Sequence, residues 1–221
     1  MNYQDKASDY YAGIRHDLIR LIDPNSKHLR VLEIGAGYGT TLYFLKVNNI
    51  AVEAVGVDIF EDKSNPNNYK PIDRLIFGDI TEVDLSEYLS YFDLILLADV
   101  LEHITEPKPV LQKLQMYLKD SGKIIVSMPN IRHYSAIKKI VFQGDFRYEE
   151  SGIFDYTHVR FYCRKNIVEL LTDSGLTILK EESSITNYKG RSYAKLLNKA
   201  TFRLFEEFFS YQYFYLAEKS L

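Results

Sequence analysis

The sequence lacks tryptophan, contains one cysteine, and has no long uninterrupted run of apolar residues. A single cysteine, Cys163, excludes a disulfide within the chain and is compatible with a reducing compartment. No apolar run approaches the roughly 20 residues that a membrane-spanning helix requires, and the first residues do not follow the pattern of a signal or transit peptide. We therefore expect a cytoplasmic protein without a membrane span.

A strong charge of one sign is also absent. The formal net charge is −3, which gives the molecule no general electrostatic attraction to nucleic acid or anionic lipid. Hydrophobic residues make up 46% of the 221 residues, enough for one α/β domain with a substantial core. We predict that residues 1–221 form a single domain that does not bind nucleic acid.

Short β-type runs alternate with helical patterns, which is typical of a parallel sheet wound with helices. The predicted strands are residues 30–34, 52–57, 74–77, 92–97, 123–127, 176–181 and 211–216. The predicted helices are residues 11–22, 40–47, 108–118, 165–174 and 192–208. Residues 129–162 form a connection far longer than an α/β unit needs, and long connections commonly carry binding loops or lids.

The stretch "VLEIGAGYGT", residues 31–40, places three glycines directly after an apolar strand. Glycine-rich backbone at the start of a helix presents free N–H groups and lets a ligand approach the main chain. The dinucleotide pattern G-x-G-x-x-G requires a third glycine at position 40, where this chain has threonine. A P-loop is excluded because no Lys-Ser/Thr pair follows. The spacing therefore argues against an NAD(P)-dependent oxidoreductase.

The E-x-G-x-G-x-G form resembles motif I of the class I S-adenosylmethionine-dependent methyltransferases. The resemblance continues through Val57-Asp58-Ile59, Gly78-Asp79-Ile80 and Ala98–His103, each at a predicted strand end. It implies a Rossmann-like α/β fold, with a seven-stranded, mostly parallel sheet, helices on both faces and an antiparallel last strand. It also implies S-adenosyl-L-methionine as cofactor and S-adenosyl-L-homocysteine as product.

The same resemblance implies a set of cofactor-binding residues. Asp58 corresponds to the acid that binds both ribose hydroxyls, and Asp79 to the residue that accepts from the adenine amine. Tyr11 or Arg15 would bind the methionine carboxylate, unless their helix only covers a sheet edge. The full set is Tyr11, Arg15, Glu33, Gly35, Ala36, Gly37, Tyr38, Gly39, Thr40, Asp58, Ile59, Asp79, Ile80, Ala98 and Asp99.

Residues 129–162 resemble the insert of a methyltransferase subgroup associated with sugar and surface-polysaccharide biosynthesis. The resemblance rests on Pro129-Asn130 and on Thr157-His158-Val159-Arg160-Phe161. It implies that this segment binds a small, sugar-type acceptor as an insert or lid. The candidate acceptor-binding residues are Asn130, Arg132, His133, Tyr134, Arg147, Tyr156, Thr157 and Arg160.

The region from residue 130 to residue 165 contains seven basic residues and four acidic ones. This local surplus, in a chain of net negative charge, favours an acceptor that carries phosphate, such as a nucleotide-linked sugar. An ordinary solvated loop is the alternative. The basic residues are Arg132, Lys138, Lys139, Arg147, Arg160, Arg164 and Lys165.

Two histidines are candidates for the general base that would deprotonate an acceptor hydroxyl. His158 is the first candidate because its segment lies over the expected pocket, although it could instead bond Asp155 or a backbone carbonyl. His103 is the second. Asp99-x-x-Glu102-His103 is similar to a cation-binding run in a quinone-pathway branch, but such Glu-His pairs also occur in metal-free relatives. We predict no bound metal.

Residues 202–215 are dense in aromatic side chains. Their spacing predicts a helix followed by the last strand, both packed into the core. Any aromatic surface left over would serve a homodimer or a lid. The alternatives to O-methylation are N-methylation of an amino sugar and a non-catalytic scaffold that retains the cofactor site.

Overall fold

The computed structural model of the protein describes residues 12–187 and 193–220. The strands are β1 (Leu29–Ile34), β2 (Ala51–Asp58), β3 (Arg74–Phe77), β4 (Phe92–Ala98), β5 (Leu118–Pro129), β6 (Leu176–Ser183) and β7 (Gln212–Lys219). The α-helices are α1 (His16–Ile19), α2 (Thr40–Val47), α3 (Pro107–Tyr117), α4 (Tyr134–Ile137), α5 (Arg164–Asp173), α6 (Ser184–Asn187), α7 (Tyr193–Ala200) and α8 (Glu206–Phe209). Short 3₁₀ turns occupy Pro66–Asn68, Ser86–Tyr88 and Leu101–His103, and a π-helical turn, Lys138–Phe142, continues α4.

The seven strands form one sheet in the order β3-β2-β1-β4-β5-β7-β6. The first five strands pair in parallel, and β7 is antiparallel to both β5 and β6. This confirms the predicted sheet. The chain reaches β4 after crossing from β3 at the sheet edge to the other side of β1, so the carboxyl ends of β1 and β4 flank the crevice where ligands of open α/β sheets bind.

The alternation of side chains along β1 divides the core between the two faces of the sheet. Leu32 and Ile34 pack in one apolar cluster with α3 and α5. Val31 packs in a second cluster with α1 and α2. Glu33 therefore points to the α1 and α2 face, where it is buried although it carries a carboxyl group. A buried acid two residues before the first glycine marks the start of the site.

Two helix predictions were wrong in extent. Within the described residues, the predicted helix 11–22 contracts to α1, and Tyr11 lies outside them. The predicted helix 192–208 divides into α7 and α8, because Phe202 and Arg203 adopt left-handed backbone conformations. The ring of Phe202 is 89% exposed, so this part of the aromatic tail is not core. Tyr213 to Tyr215 of β7 are buried, as the last-strand prediction requires.

The segment 129–162 is folded around a small apolar cluster of its own. Ala136, Ile153 and Phe154 are buried there. Ile131, Ile140 and Phe161 pack against them. The segment is thus an ordered insert after β5. Among all the helices that the structure describes, none is both long and apolar enough to cross a membrane.

Candidate active site

A cavity of about 540 Å³ opens at the carboxyl ends of β1, β2, β3 and β4. Its volume lies within the usual range for a small-molecule or cofactor site. Most of the predicted cofactor residues meet here. The lining residues are Gly13, Arg15, Glu33, Ile34, Gly35, Ala36, Gly37, Thr41, Val57, Asp58, Ile59, Gly78, Asp79, Ile80, Thr81, Ala98, Asp99, Val100, His103, Ile104, Thr105 and Glu106.

The glycine stretch forms the floor of the cavity in a conformation that side chains would disturb. Gly35 has φ +72°, and a Cβ atom there would lie 2.9 Å from Cγ2 of Val100. Its N–H donates to the Val57 carbonyl at 2.8 Å. Gly37 has φ +53°, and its N–H donates to Oδ2 of Asp58 at 2.6 Å. The loop after β1 is therefore fixed to the end of β2 by its backbone N–H groups, which donate to the Val57 carbonyl and to the Asp58 side chain.

Asp58 is the best-defined side chain of this end of the cavity. Its Oδ2 accepts from Gly37, and its Oδ1 accepts from the Phe60 N–H at 2.8 Å. Burial raises the pKa of this carboxyl, and the two N–H groups act against that rise. Because a carboxylate has about four lone-pair positions, each oxygen can still accept from a ligand hydroxyl.

Arg15 connects three elements at one side of the cavity. Its guanidinium lies 2.9 Å from carboxylate oxygens of both Asp17 and Asp99, and it donates to Oγ of Ser127 at 3.0 Å. Burial raises the pKa of nearby Glu33 to about 8, against the opposing effect of the Arg15 charge. Arg15 thus serves as the counter-ion of the neighbouring acids Asp17 and Asp99.

Asp99 is held in an unusual backbone conformation directly after β4. Its φ is +56°. The hydroxyl of Ser127 donates to its Oδ1 at 2.9 Å, and the side-chain amide of Gln212 donates to the same oxygen. Sequence reasoning missed Ser127 and Gln212. No local pattern identifies them, because the sheet pairing of β4, β5 and β7 creates their contact.

Asp79 and Ile80 line the far end of the cavity with Gly78 and Thr81. Oδ1 of Asp79 accepts from both the backbone N–H and the hydroxyl of Thr81, at 2.8 and 2.7 Å. Ile59 lines the same end, with half of its side chain exposed. Asp79 and Ile80, the residues predicted to hold the adenine, therefore lie together at one end of the cavity.

Three predicted cofactor residues do not line the cavity. The Tyr38 hydroxyl donates to Oδ2 of Asp62 at 2.9 Å, and its ring packs on Tyr69. Gly39 directly precedes α2, and Thr40 is its first residue. The next residue, Thr41, lines the cavity instead and accepts from the Arg15 N–H at 3.2 Å. The turn of the helix, which the motif alone does not give, decides that Thr41 and not Thr40 faces the cavity.

His103 lines the other side of the cavity, next to the 129–162 insert. Its Nδ1–H donates to the Thr157 carbonyl at 3.1 Å, and its ring meets the His158 ring edge-on at 4.7 Å. Burial and the neighbouring His158 lower the pKa of His103 to about 4. The imidazole is therefore neutral at physiological pH and faces the ligand space.

His158 stands behind His103 and does not line the cavity. It is 7% exposed, and its Nδ1–H donates to the Ile153 carbonyl at 2.9 Å. Its Nε2 lies 3.9 Å from Oε1 of Glu102, which is fully buried. Burial, together with the charges of Asp99 and Asp155, raises the pKa of Glu102 well above its usual value. Of the two predicted bases, His103 is the one in contact with the cavity.

Several predicted acceptor-binding residues hold the insert together. Asn130 is buried, and its Nδ2 donates to the carbonyls of Glu207 and Ser210 at 2.7 and 2.8 Å. His133 caps α4 by accepting from the Ser135 N–H at 3.4 Å. Thr157 is buried, and its hydroxyl donates to Asp155 at 2.6 Å. Tyr134 and Tyr156 are exposed and do not line the cavity.

The basic surplus of this region is largely compensated by ion pairs. Six of its seven basic residues pair with carboxylates, and Arg147 pairs with Asp145 on the outer surface. Arg160 differs from Arg147 because it lies beside the cavity: its Nε–H donates to the carbonyl of Thr105, a lining residue, at 2.7 Å. The pairs are Arg132–Glu207, Lys139–Glu149, Arg147–Asp145, Arg160–Glu106, Arg164–Glu181 and Lys165–Glu169.

Two comparisons with known proteins match this chain by its sequence. The family model described as a methyltransferase domain matches residues 4–181. The uncharacterized protein MJ1123 of Methanocaldococcus jannaschii is 30% identical over 158 residues, which cover 71% of this chain and 68% of that protein.

Solved structures show the same fold at low identity. A SAM-dependent methyltransferase from Archaeoglobus fulgidus superposes with a TM-score of 0.62 at 22% identity, covering 96% of this chain and 95% of that one. Phosphoethanolamine N-methyltransferase 2 of Haemonchus contortus, in complex with phosphomonomethylethanolamine and S-adenosylhomocysteine, superposes with a TM-score of 0.64 at 15% identity. That match covers 93% of this chain and 52% of the nematode enzyme.

Proposed function

Because the chain belongs to the methyltransferase domain family, we propose that it transfers a methyl group from S-adenosyl-L-methionine to a small acceptor. The observation that carries this proposal is the bond between the Gly37 N–H and Asp58, which joins the glycine loop and the acid of β2 in one wall of the cavity. That wall offers the Asp58 carboxylate, which keeps acceptor capacity for the hydroxyls of a ribose.

The electrostatics of the cavity support a cationic ligand. Five carboxylic acids line it, although the raised pKa of Glu33, about 8, keeps that one mostly protonated near neutral pH, and Arg15 is the one lysine or arginine among the described lining residues. An acidic, partly buried wall favours a ligand that carries a sulfonium and an ammonium group. When bound, the cofactor supplies an electrophilic methyl group. The acids are Glu33, Asp58, Asp79, Asp99 and Glu106.

Each part of the cofactor has candidate residues in this wall. Asp58 would accept from the ribose hydroxyls, while Asp79 and Ile80 would hold the adenine. Arg15 and Asp99 would meet the amino-acid end. These assignments follow the resemblance in the sequence and the positions of the lining residues.

We propose that the acceptor is a sugar-type hydroxyl of a phosphate-bearing, nucleotide-linked precursor, methylated on oxygen and destined for a surface polysaccharide. The resemblance of residues 129–162 to a sugar-associated insert supports this, as does the position of Arg160 beside Thr105 and Glu106 of the cavity wall. The hydroxyl would lose its proton on the His103 side of the cavity. The overall basic surplus no longer supports the proposal, because ion pairs compensate most of it.

Two measurements test the proposal in sequence. Calorimetric titration should show binding of S-adenosyl-L-homocysteine and no binding of NADH. A mass-spectrometric screen with S-adenosyl-L-methionine should then find one acceptor that gains a CH₂ unit, among nucleotide sugars, amino sugars and phosphoethanolamine. Binding of NADH alone would contradict the methyltransferase assignment. Binding of the nucleoside without turnover on any acceptor would favour the scaffold.

A further inference from the structure

Three side chains with metal-binding chemistry meet behind the acceptor side of the cavity. One donor atom each from Glu102, His103 and His158 lies within 4.8 Å of the other two. The first two residues belong to the 3₁₀ turn after β4, and His158 belongs to the 129–162 insert. The N–H groups of Val159 and Arg160 donate to the Glu102 carbonyl at 3.0 and 3.1 Å, which fixes the insert on this turn.

Both imidazoles are oriented in the way that metal ligands usually are. Each Nδ1 lies within hydrogen-bonding distance of a backbone carbonyl, from Thr157 for His103 and from Ile153 for His158. A carbonyl can only accept, so Nδ1 carries the proton and the lone pair of each ring is at Nε2. Metal-binding histidines commonly donate their second ring N–H to a carbonyl in this manner.

Glu102 supplies a second, independent indication. Its side chain is fully buried, and neither carboxylate oxygen has a hydrogen-bond partner in another described residue. Burying such a group without a partner is costly. The imidazole nearest to it, His158, is itself held by the Ile153 carbonyl and places Nε2 3.9 Å away. A cation between these atoms would satisfy the carboxylate.

We propose that Glu102, His103 and His158 bind a divalent transition-metal ion of the zinc class. Two imidazoles and one carboxylate form a donor set that Zn²⁺ and Co²⁺ accept, with one or more positions left open. A tetrahedral ion with bonds of about 2.0–2.1 Å needs donors roughly 3.4 Å apart, so donor atoms now up to 4.8 Å apart would approach one another by up to about 1.4 Å. Because His103 lines the cavity, an open position would face the acceptor space.

This donor set differs from the run Asp99-x-x-Glu102-His103 that the sequence presents. The Asp99 carboxylate is occupied by Arg15, Ser127 and Gln212. His158 takes its place from a distant part of the chain. The sequence prediction of no metal considered only the local run and did not include this histidine.

A metal at this position also bears on the reaction, in a way that rests on the proposed function. The ion would bind the acceptor oxygen and lower the pKa of its hydroxyl. The proton could then leave to solvent or buffer, and no separate base would be needed. His103 and His158 would act as ligands.

The test uses the full-length protein after removal of metals with a chelator. Titration with Zn²⁺, followed by calorimetry, and with Co²⁺, followed by visible absorption, should show one ion per chain. Glu102→Gln and His158→Gln should each weaken binding by about 100-fold or more, because the loss of a ligand should cost at least as much as the loss of an outer-shell partner, which costs about 10- to 100-fold. His16→Gln, which removes an exposed histidine of α1, is the matched control and should bind as the unaltered protein does.

A second readout does not depend on the variants. In the Co²⁺ form, proton NMR should show two exchangeable, strongly shifted N–H signals, one from each Nδ1–H. The proposal is overturned if the unaltered protein binds no stoichiometric ion, or if both variants bind as tightly as His16→Gln. Titration with S-adenosyl-L-homocysteine in the presence of chelator separates the two proposals. Cofactor binding together with absent metal binding would overturn this inference alone.

Discussion

The two sides of the cavity are built in different ways. On the side where we propose that the cofactor binds, the candidate groups come from strand ends, such as the glycine stretch after β1 and Asp58 at the end of β2. On the side where we propose that the acceptor binds, they come from a short turn and from an insert that packs around its own apolar cluster. The first side is encoded locally, whereas the second depends on tertiary contacts.

The difference decides how much a residue type says about its role. A glycine or acid at the end of a parallel strand faces the crevice because the sheet geometry directs it there. A polar residue of the insert has no such constraint, and Asn130 uses its side-chain amide to hold the backbone of residues 207 and 210. Sequence patterns therefore predict the cofactor side more completely than the acceptor side.

The largest effect is expected from the acceptor side. His103→Asn should lower turnover on the identified acceptor by about 100-fold or more, as expected when the group that assists proton removal is lost. The affinity for S-adenosyl-L-homocysteine should change by less than about twofold, because binding and proton removal are separate functions. Steady-state kinetics and calorimetry measure the two quantities.

The control for this variant is His28→Asn. His28 is exposed and has φ +58°, a conformation that asparagine tolerates. It should keep full turnover. If His103→Asn also kept near-normal turnover, His103 would not assist removal of the acceptor proton, and our placement of the acceptor beside it would be wrong.

The second prediction concerns the cofactor side. Asp58→Ala should weaken binding of S-adenosyl-L-homocysteine by about 100-fold, because two charge-assisted hydrogen bonds to the ribose would be lost. It also removes the acceptor for the Gly37 N–H. Asp84→Ala is a matched control, since Asp84 likewise accepts from a backbone N–H, that of Ser86, at an exposed turn. Equal affinities for the two variants would contradict the assignment of the ribose site.

The third prediction separates two arginines of the acceptor region. Arg160→Ala should raise the KM for a phosphate-bearing acceptor about tenfold, which corresponds to the loss of one charged hydrogen bond. Arg147→Ala should leave the KM within about twofold, because Arg147 is exposed and bound to Asp145. Kinetics with the phosphorylated and the dephosphorylated acceptor measure the effect. If both variants raised the KM by the same factor, the general basic surplus of the region, and not Arg160 in particular, would account for binding of the phosphate.

Particular residues show why the sequence predicts one side better. The spacing of the glycines and the acids after β2 and β3 follows from backbone geometry, and the structure places these residues in the cavity as expected. Thr40 and Thr41 differ by one helical step, which the motif does not resolve. His158 was predicted at the pocket, yet the bonds at Ile153 and the contact with His103 place it behind the wall. Such packing depends on residues far apart in the chain.

The smallest effect on function is expected at Glu33, where the cofactor side carries a cost in stability. Burial raises the pKa of Glu33 to about 8 from an ordinary value of 4.5. Between these values the folded protein retains a proton that the unfolded chain has lost. Its free energy of unfolding should therefore fall as pH rises through this window, by at most about 1.4 kcal/mol per pH unit.

Glu33→Gln removes this titration while keeping the shape of the side chain. The difference in free energy of unfolding between variant and unaltered protein should grow in favour of the variant from about pH 5 to about pH 8. Denaturant unfolding at several pH values measures it, and Glu82→Gln at an exposed site serves as control. A constant difference across this range would mean that Glu33 is already ionised in the folded state. In that case Arg15, although paired with Asp99, would stabilise the ionised form of Glu33 as well. Burial of Glu33 would then lower the free energy of unfolding less than its raised pKa indicates.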